Sequence, residues 1–365
     1  MKKTLFTLLK IAVSLGILAY IFLRVVDIDK LWGELKTANP LYFIAAVVVY
    51  FLVQGLSAWR WYVLLKPQGI DVPFSRILAY YFLGMYFNFF LPSAIGGDVV
   101  KVYYLNKETK QLSASTTSVF FDRDIGMGGL VLIALVTVIF ANPAHIQING
   151  VPRKTEFILG FALIAAGFLL ANLAIFYRPT YNLLHRLLSL FKMKKVDDKI
   201  ERLFTSVNVY RNRWGLIVGT MLISLGVQVG CALVNLLAAK AIGLDKAGLA
   251  DYLVFIPAIG LISMIPISVG GTGVREAAYI WMFSSIDVPE HQALALALLW
   301  LGVIAITSLP GGIVYIARSS GKADHIPTDV ETLEAEESQS GQVSANPNTS
   351  FSSLPDQPEE SPSTI

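Results

Sequence analysis

Leu91-Pro92-Ser93-Ala94-Ile95-Gly96-Gly97-Asp98-Val99-Val100-Lys101 and Ile265-Pro266-Ile267-Ser268-Val269-Gly270-Gly271-Thr272-Gly273-Val274-Arg275 are one phrase written twice. The proline, the glycine pair, the following valine and the terminal cation fall in register. Each copy interrupts a long apolar stretch, where a proline and two glycines disfavour a continuous helix. Broken segments at corresponding places in two halves of a membrane chain point to a binding site built from half-helices.

The surrounding composition places these breaks in a bilayer. Of the 365 residues 55% are hydrophobic and 15% charged, against about 25% charged in a soluble domain. Apolar runs near the ~20 residues needed to cross a bilayer recur along the chain. The chain reads as an all-α polytopic membrane protein. Full spans are expected at Leu5–Val26, Leu41–Leu65, Ser113–Ala141, Phe157–Tyr177, Trp214–Ile242 and Gln292–Ala317, with broken segments at Arg76–Leu105 and Leu249–Ser285. The first run follows Met1-Lys2-Lys3, but it is long for a signal peptide and no small-residue cleavage site precedes Asp27, so it reads as an uncleaved span.

Charge placement orients these spans. The loop 178–213 carries nine Lys and Arg and is assigned to the cytoplasm, whereas 142–156 holds only Arg153 and Lys154 and is assigned outside. Both termini then lie inside. The first broken segment enters from the cytoplasmic face and the second from the outer face. If each is a re-entrant hairpin, the two halves, about 41–141 and 214–317, form an inverted-topology repeat; counting every arm as a full span is the other topology. Leucines among the basic residues of 178–213 suit an amphipathic surface helix. From Ala323 onward there are nine Asp and Glu and no Lys or Arg, leaving +12 (29 basic against 17 acidic side chains) for the rest. The acidic tail 319–365 is expected to be disordered, and the basic remainder suits contact with anionic lipid. Localisation to a bacterial or archaeal cell membrane follows.

The broken segments hold the candidate site. Gly96, Gly97, Gly270, Gly271 and Gly273 each stand where a second half-helix would begin. The N–H groups there lack intrahelical partners and carry partial positive charge, a setting that binds phosphate. Lys101 and Arg275 follow four residues after the second glycine of each copy and would add a cation to the same anion, for which a lipid headgroup phosphate is the natural source. The plainer reading of one such motif is close helix packing; two copies with in-register cations favour binding. Asp98, Asp122, Arg123 and Glu276 are ionisable groups at membrane depth, where charge is expensive and marks gating or coupling roles. Asp122-Arg123-Asp124 alternatively pairs within itself at the interface. Arg60, between Trp59 and Trp61, reads as a substrate ligand or a snorkelling anchor. Asn88 is placed to hydrogen-bond the broken backbone, and Asn172 and Asn235 to join helices. Lone Cys231 and the scattered His145, His185, His291 and His325 lack ligand spacing, so no metal or cofactor is expected. The Gly270–Gly273 run lacks the features of a soluble nucleotide loop.

Trp59-Arg60-Trp61 with Leu64-Leu65, then Asn88 through Lys101, Asp122-Arg123, and Ile265 through Arg275-Glu276 occur in an order that resembles the flippase-like membrane domain of lysylphosphatidylglycerol synthases, over roughly residues 5–318. The resemblance implies movement of a lipid between leaflets: an aminoacylated phospholipid in bifunctional members, and polyprenol-linked sugar metabolism for some stand-alone ones. Those bifunctional members carry an aminoacyltransferase domain after the membrane part; here fewer than 50 residues of low complexity follow, too few for such a domain. The reading is therefore transport of an anionic or aminoacylated phospholipid, or of a polyprenyl-phosphate-linked lipid, rather than catalysis. Membrane lipids are the expected partners and nucleic acid is not. Two alternatives are a membrane anchor for a separate lipid synthase, and a lipid-linked transferase using Asp98 with Asp122. The second lacks a nucleophile, metal or cofactor constellation.

Overall fold

The computed structural model describes residues 2–90, 96–140, 147–148, 151–152, 154–176, 209–210, 213–265 and 267–318. Pro92, Pro266, most of the basic loop and the acidic tail lie outside this set. Helix α1 (Lys2–Tyr20) runs into a wider π turn at Ile21–Val25. A short helix follows that the apolar pattern does not announce, α2 (Ile28–Thr37). Asp27 starts it: its carboxylate accepts the N–H groups of Asp29 and Lys30 at 3.1 and 3.3 Å, satisfying two otherwise orphaned donors. The Lys30 amide in particular holds the Asp27 carboxyl below its ordinary range.

The first half consists of α3 (Pro40–Leu65), α4 (Phe74–Phe90), α5 (Gly96–Thr109) and α6 (Leu112–Phe140). A two-residue strand pair, Gln147–Ile148 with Val151–Pro152, and α7 (Lys154–Phe176) link it toward the second half. The second half repeats the order with α8 (Trp214–Ala241), α9 (Leu249–Ser263), α10 (Val274–Ser284) and α11 (Glu290–Arg318). Among the described residues five helices are long and apolar enough to span a bilayer; at the first expected span, Leu5–Val26, only the shorter Ala12–Val25 is an apolar helix. The all-helical polytopic class therefore holds.

The arms of the broken segments are short. At 1.5 Å per residue, α4 and α5 extend about 25 and 21 Å and α9 and α10 about 22 and 16 Å, less than the ~30 Å hydrocarbon core. In each segment the two arms pack on one another, α4 on α5 and α9 on α10. These are helical hairpins.

Helices α3 and α8 lie side by side and antiparallel. At one end the Asn39 N–H donates to the Ala241 carbonyl at 2.7 Å. At the other, the Tyr210 hydroxyl just before α8 donates to the Leu64 carbonyl at 2.8 Å. Between them Gly230 faces Val53, and a Cβ at Gly230 would meet Val53 at 2.3 Å. The halves are thus inverted, and their packing is reciprocal. Hairpin arm α4 lies on α11, the last span of the other half, and α9 lies on α6. The α4–α11 contact is close because Pro310 is followed by Gly311, where a Cβ would stand 2.1 Å from the Phe82 carbonyl.

Glycines set the spacing within both hairpins. A Cβ on Gly97 would sit 2.0 Å from the Gly84 carbonyl, and one on Gly271 3.0 Å from the Ser263 carbonyl. Gly270, Gly271 and Gly273 also have φ of 58°, 79° and 84°, which side chains disfavour. That is why the second arm of the second hairpin starts at Val274, later in the phrase than Gly96. Asn235 accepts the Tyr279 hydroxyl at 2.6 Å, joining α8 to α10, and Asn172 donates to Asp124 at 3.2 Å, joining α7 to α6. Gly97→Ala must push the arms of the first hairpin apart. It is expected to destabilise the detergent-solubilised protein by about 1–3 kcal/mol or more, read as a lowered thermal unfolding midpoint. Gly160→Ala, with open space around it, should leave the midpoint unchanged.

Candidate functional site

The two hairpins meet around one cavity of about 700 Å³. Helix α3 contributes Tyr50, Gln54, Ser57 and Arg60 to its wall, α4 Tyr81, Met85, Asn88 and Phe89, and α5 Lys101. From α6 come Asp122, Arg123, Gly126, Met127 and Leu130. The far wall is Val227 and Gln228 of α8, Met264, Val269, Gly270 and Thr272 of the second hairpin's turn, Arg275 of α10, and Leu301 and Ile304 of α11. Gln54 and Gln228 sit near the middle of the 26- and 28-residue helices α3 and α8, so the cavity lies at mid-depth of the helix bundle.

The charges are paired in three groups. Buried Arg60 donates from Nε to Asp122 Oδ1 at 2.8 Å and from Nη1 to Ser224 Oγ at 3.0 Å. Ser224 in turn donates to the Ile125 carbonyl at 3.1 Å. Lys101, 7% exposed, has its Nζ 3.7 Å from Asp98 Oδ1 and 4.0 and 5.6 Å from the ring centroids of Tyr81 and Trp61. Arg123 pairs with the other oxygen of the same Asp98. Arg275 binds Glu276 Oε1 from Nη2 at 2.5 Å and from Nε at 3.1 Å. Among these seven side chains four cations face three carboxylates, because Lys101 and Arg123 share one.

Of the residues singled out from the sequence, Arg60, Lys101, Asp122, Arg123, Gly270 and Arg275 line the cavity together. Asp98 and Glu276 stand behind it, holding cations. Arg60 does not snorkel: it turns inward, since Asp122 and Ser224 supply the partners that water would otherwise provide. Asp122 and Arg123 do not pair with each other but reach to α3 and α5. Two of the glycine N–H groups are engaged by the protein. The Gly97 N–H donates to Asn88 Oδ1 at 2.8 Å, and the Gly273 N–H to Glu276 Oε2 at 2.6 Å. Asn88 thus closes the first break, and the Glu276 carboxylate, reaching back to the N-cap amide, closes the second. Lys101 and Arg275 reach the cavity wall with their side chains, and Gly270 of the second break lies on the same wall.

Gln54 and Gln228 are missed by motif reading. They are separated by the same interval that separates Lys101 from Arg275, so comparing the halves position by position would have found them. Tyr81 and Ser224 have no such counterpart, and only the packing shows them.

Such a molecule is a polytopic helical membrane protein with two inverted halves, whose broken helices enclose a charged cavity at mid-depth. The chain belongs to the lysylphosphatidylglycerol synthase TM region family, which matches residues 7–311. It is similar to the UPF0104 membrane protein MJ1595 of Methanocaldococcus jannaschii, with 23% identity over 82% of this chain and 89% of that one. It is likewise similar to the UPF0104 membrane protein PH1989 of Pyrococcus horikoshii, with 25% identity over 82% and 93%. A UPF0104 membrane protein of Methanothermobacter thermautotrophicus shares 24% over 78% and 88%.

Breaking the Arg60–Asp122 pair leaves a buried charge alone. Arg60→Met and Asp122→Leu are each expected to destabilise the protein by about 3–5 kcal/mol, and the double change by clearly less than their sum. Denaturant unfolding of the four proteins in one detergent checks this.

Proposed function

We propose that this protein moves a lipid with a phosphate-bearing headgroup between leaflets of the cell membrane, with both termini cytoplasmic. One observation carries the reading: Lys101 and Arg275, at matching positions of two inverted halves, line the same mid-depth cavity. A single phosphate between them is met by one cation from each hairpin. Charge-assisted hydrogen bonds to phosphate are among the stronger polar contacts, and burial sharpens them. The acyl or prenyl tails stay in the bilayer, beside the apolar wall of Val227, Leu301 and Ile304. An anionic or aminoacylated phospholipid and a polyprenyl-phosphate-linked lipid share this phosphate chemistry. The nine cations in 178–213 support the cytoplasmic assignment of that loop.

The ion pairs suggest how occupancy couples to movement. Asp98 ties hairpin arm α5 to span α6 through Arg123, whereas Arg275 and Glu276 pair within α10. A phosphate that engages Lys101 and Arg123 competes with Asp98 and loosens the α5–α6 link. It therefore favours one arrangement of the first hairpin over another, which is the differential interaction a two-state change requires. The paired organisation of inverted halves supports alternating access.

Reconstituted vesicles with a fluorescent phosphatidylglycerol test this. Chemical quenching from outside should reveal rapid exchange between leaflets. The Lys101→Ala, Arg275→Ala double variant should slow exchange at least ~tenfold, as expected for loss of two charge-assisted contacts, with the helical circular dichroism retained. Wild-type exchange by a folded double variant overturns the assignment.

A further inference from the structure

A second cavity, of about 400 Å³, opens at the base of the first hairpin. Its lining comes from three elements: Arg76 and Tyr80 of α4, Tyr104, Lys107 and Glu108 of α5, and Arg318 at the end of α11. On α4 this pocket is lined by Arg76 and Tyr80 and the mid-depth cavity by Tyr81 through Phe89, so the two lie next to each other along the helix with different side chains facing each.

Glu108 is the one carboxylate in the described lining, against three cations. Both of its oxygens are engaged: Oε1 by Arg76, and Oε2 by the Tyr80 hydroxyl at 2.5 Å. Among the described residues Arg318 is held by Tyr80 and not by a carboxylate. Its guanidinium lies 4.9 Å from the Tyr80 ring centroid, and its Nη1 donates to the Tyr80 hydroxyl at 3.2 Å. Tyr80 and Tyr104 are buried and stack with centroids 5.8 Å apart, so they form a rigid floor that fixes Arg318. A floor of stacked rings with an arginine presented over it, flanked by a second arginine and a lysine, suits a compact multivalent oxyanion. Arginine's planar fork matches phosphate oxygens in pairs.

We propose that this pocket is a second phosphate-binding site, which takes the phosphate of an anionic lipid headgroup or a free phosphate ion at the surface where the first hairpin opens. It stands apart from the transport reading, because neither Lys101 nor Arg275 takes part.

Full-length protein in neutral detergent is titrated with dioctanoyl-phosphatidylglycerol, with inorganic phosphate and with dioctanoylglycerol, and binding is followed by native mass spectrometry. The same titrations are run in a Lys101→Gln, Arg275→Gln background, which removes the mid-depth cations. In that background phosphatidylglycerol should still bind, and the uncharged dioctanoylglycerol should not. Arg76→Gln with Arg318→Gln should weaken the remaining binding by on the order of tenfold per cation lost. Glu108→Gln keeps the shape and raises the local charge by one, so it should tighten binding several-fold, a gain that misfolding would not produce. Competition by inorganic phosphate would mark the free ion as a ligand; binding of phosphatidylglycerol without such competition would mark the lipid headgroup. The proposal is overturned if the arginine changes leave binding unaltered, if Glu108→Gln does not tighten it, or if dioctanoylglycerol binds as well. It is overturned too if phosphatidylglycerol binds only after residues 323–365 are removed, since the acidic tail would then be the occupant.

Discussion

The antiparallel contact between α3 and α8 is the constraint on which the rest depends. These two central spans touch along their length because Gly230 admits Val53 and because both ends are tied, Asn39 to Ala241 and Tyr210 to Leu64. Once they are fixed head to tail, each hairpin has one place to go. It packs on the last span of the opposite half, and the two breaks are brought to a shared depth. Lys101 and Arg275, far apart in sequence, then face one space.

Broken helices at that depth carry a cost that the protein meets locally. Backbone groups away from water need partners, and here side chains supply them: Asn88 for Gly97 and Glu276 for Gly273. The same economy governs charge. Asp122, Asp98 and Glu276 each hold a cation, so the cavity is polar without being an open cluster of like charges. Asp98 serves both Lys101 and Arg123, so one carboxylate ties α5 to α6.

Much of this was legible from residue order. The apolar runs marked five long helices and one shorter one, the repeated phrase marked where the helices break, and its in-phase cations line one cavity. Asn88 was recognisable as a cap because it sits one turn before Pro92. Other features resisted reading for physical reasons. Arg60 between two tryptophans fits both an interfacial anchor and a buried ligand, because the same side chain serves either way; its depth and the nearness of Asp122 decide. The glycines of the phrase read as an anion cradle, yet Gly97 and Gly271 serve close approach of helix arms, which depends on what lies across from them. Helix α2 was missed because its apolar face is short and its start rests on one aspartate.

What the sequence determined by itself is a polytopic helical membrane protein with two broken segments. Bilayer thickness, helix breaking by proline and glycine, and charge in the loops are local or compositional effects that residue order carries directly. The tertiary structure alone decided which charges meet. Arg60 with Asp122, Arg123 with Asp98, the matched glutamines at the cavity wall and the arginine-lined pocket at the hairpin base all join residues on different helices. Such pairings depend on helix rotation and close approach, set by small residues packing against backbone tens or hundreds of positions away.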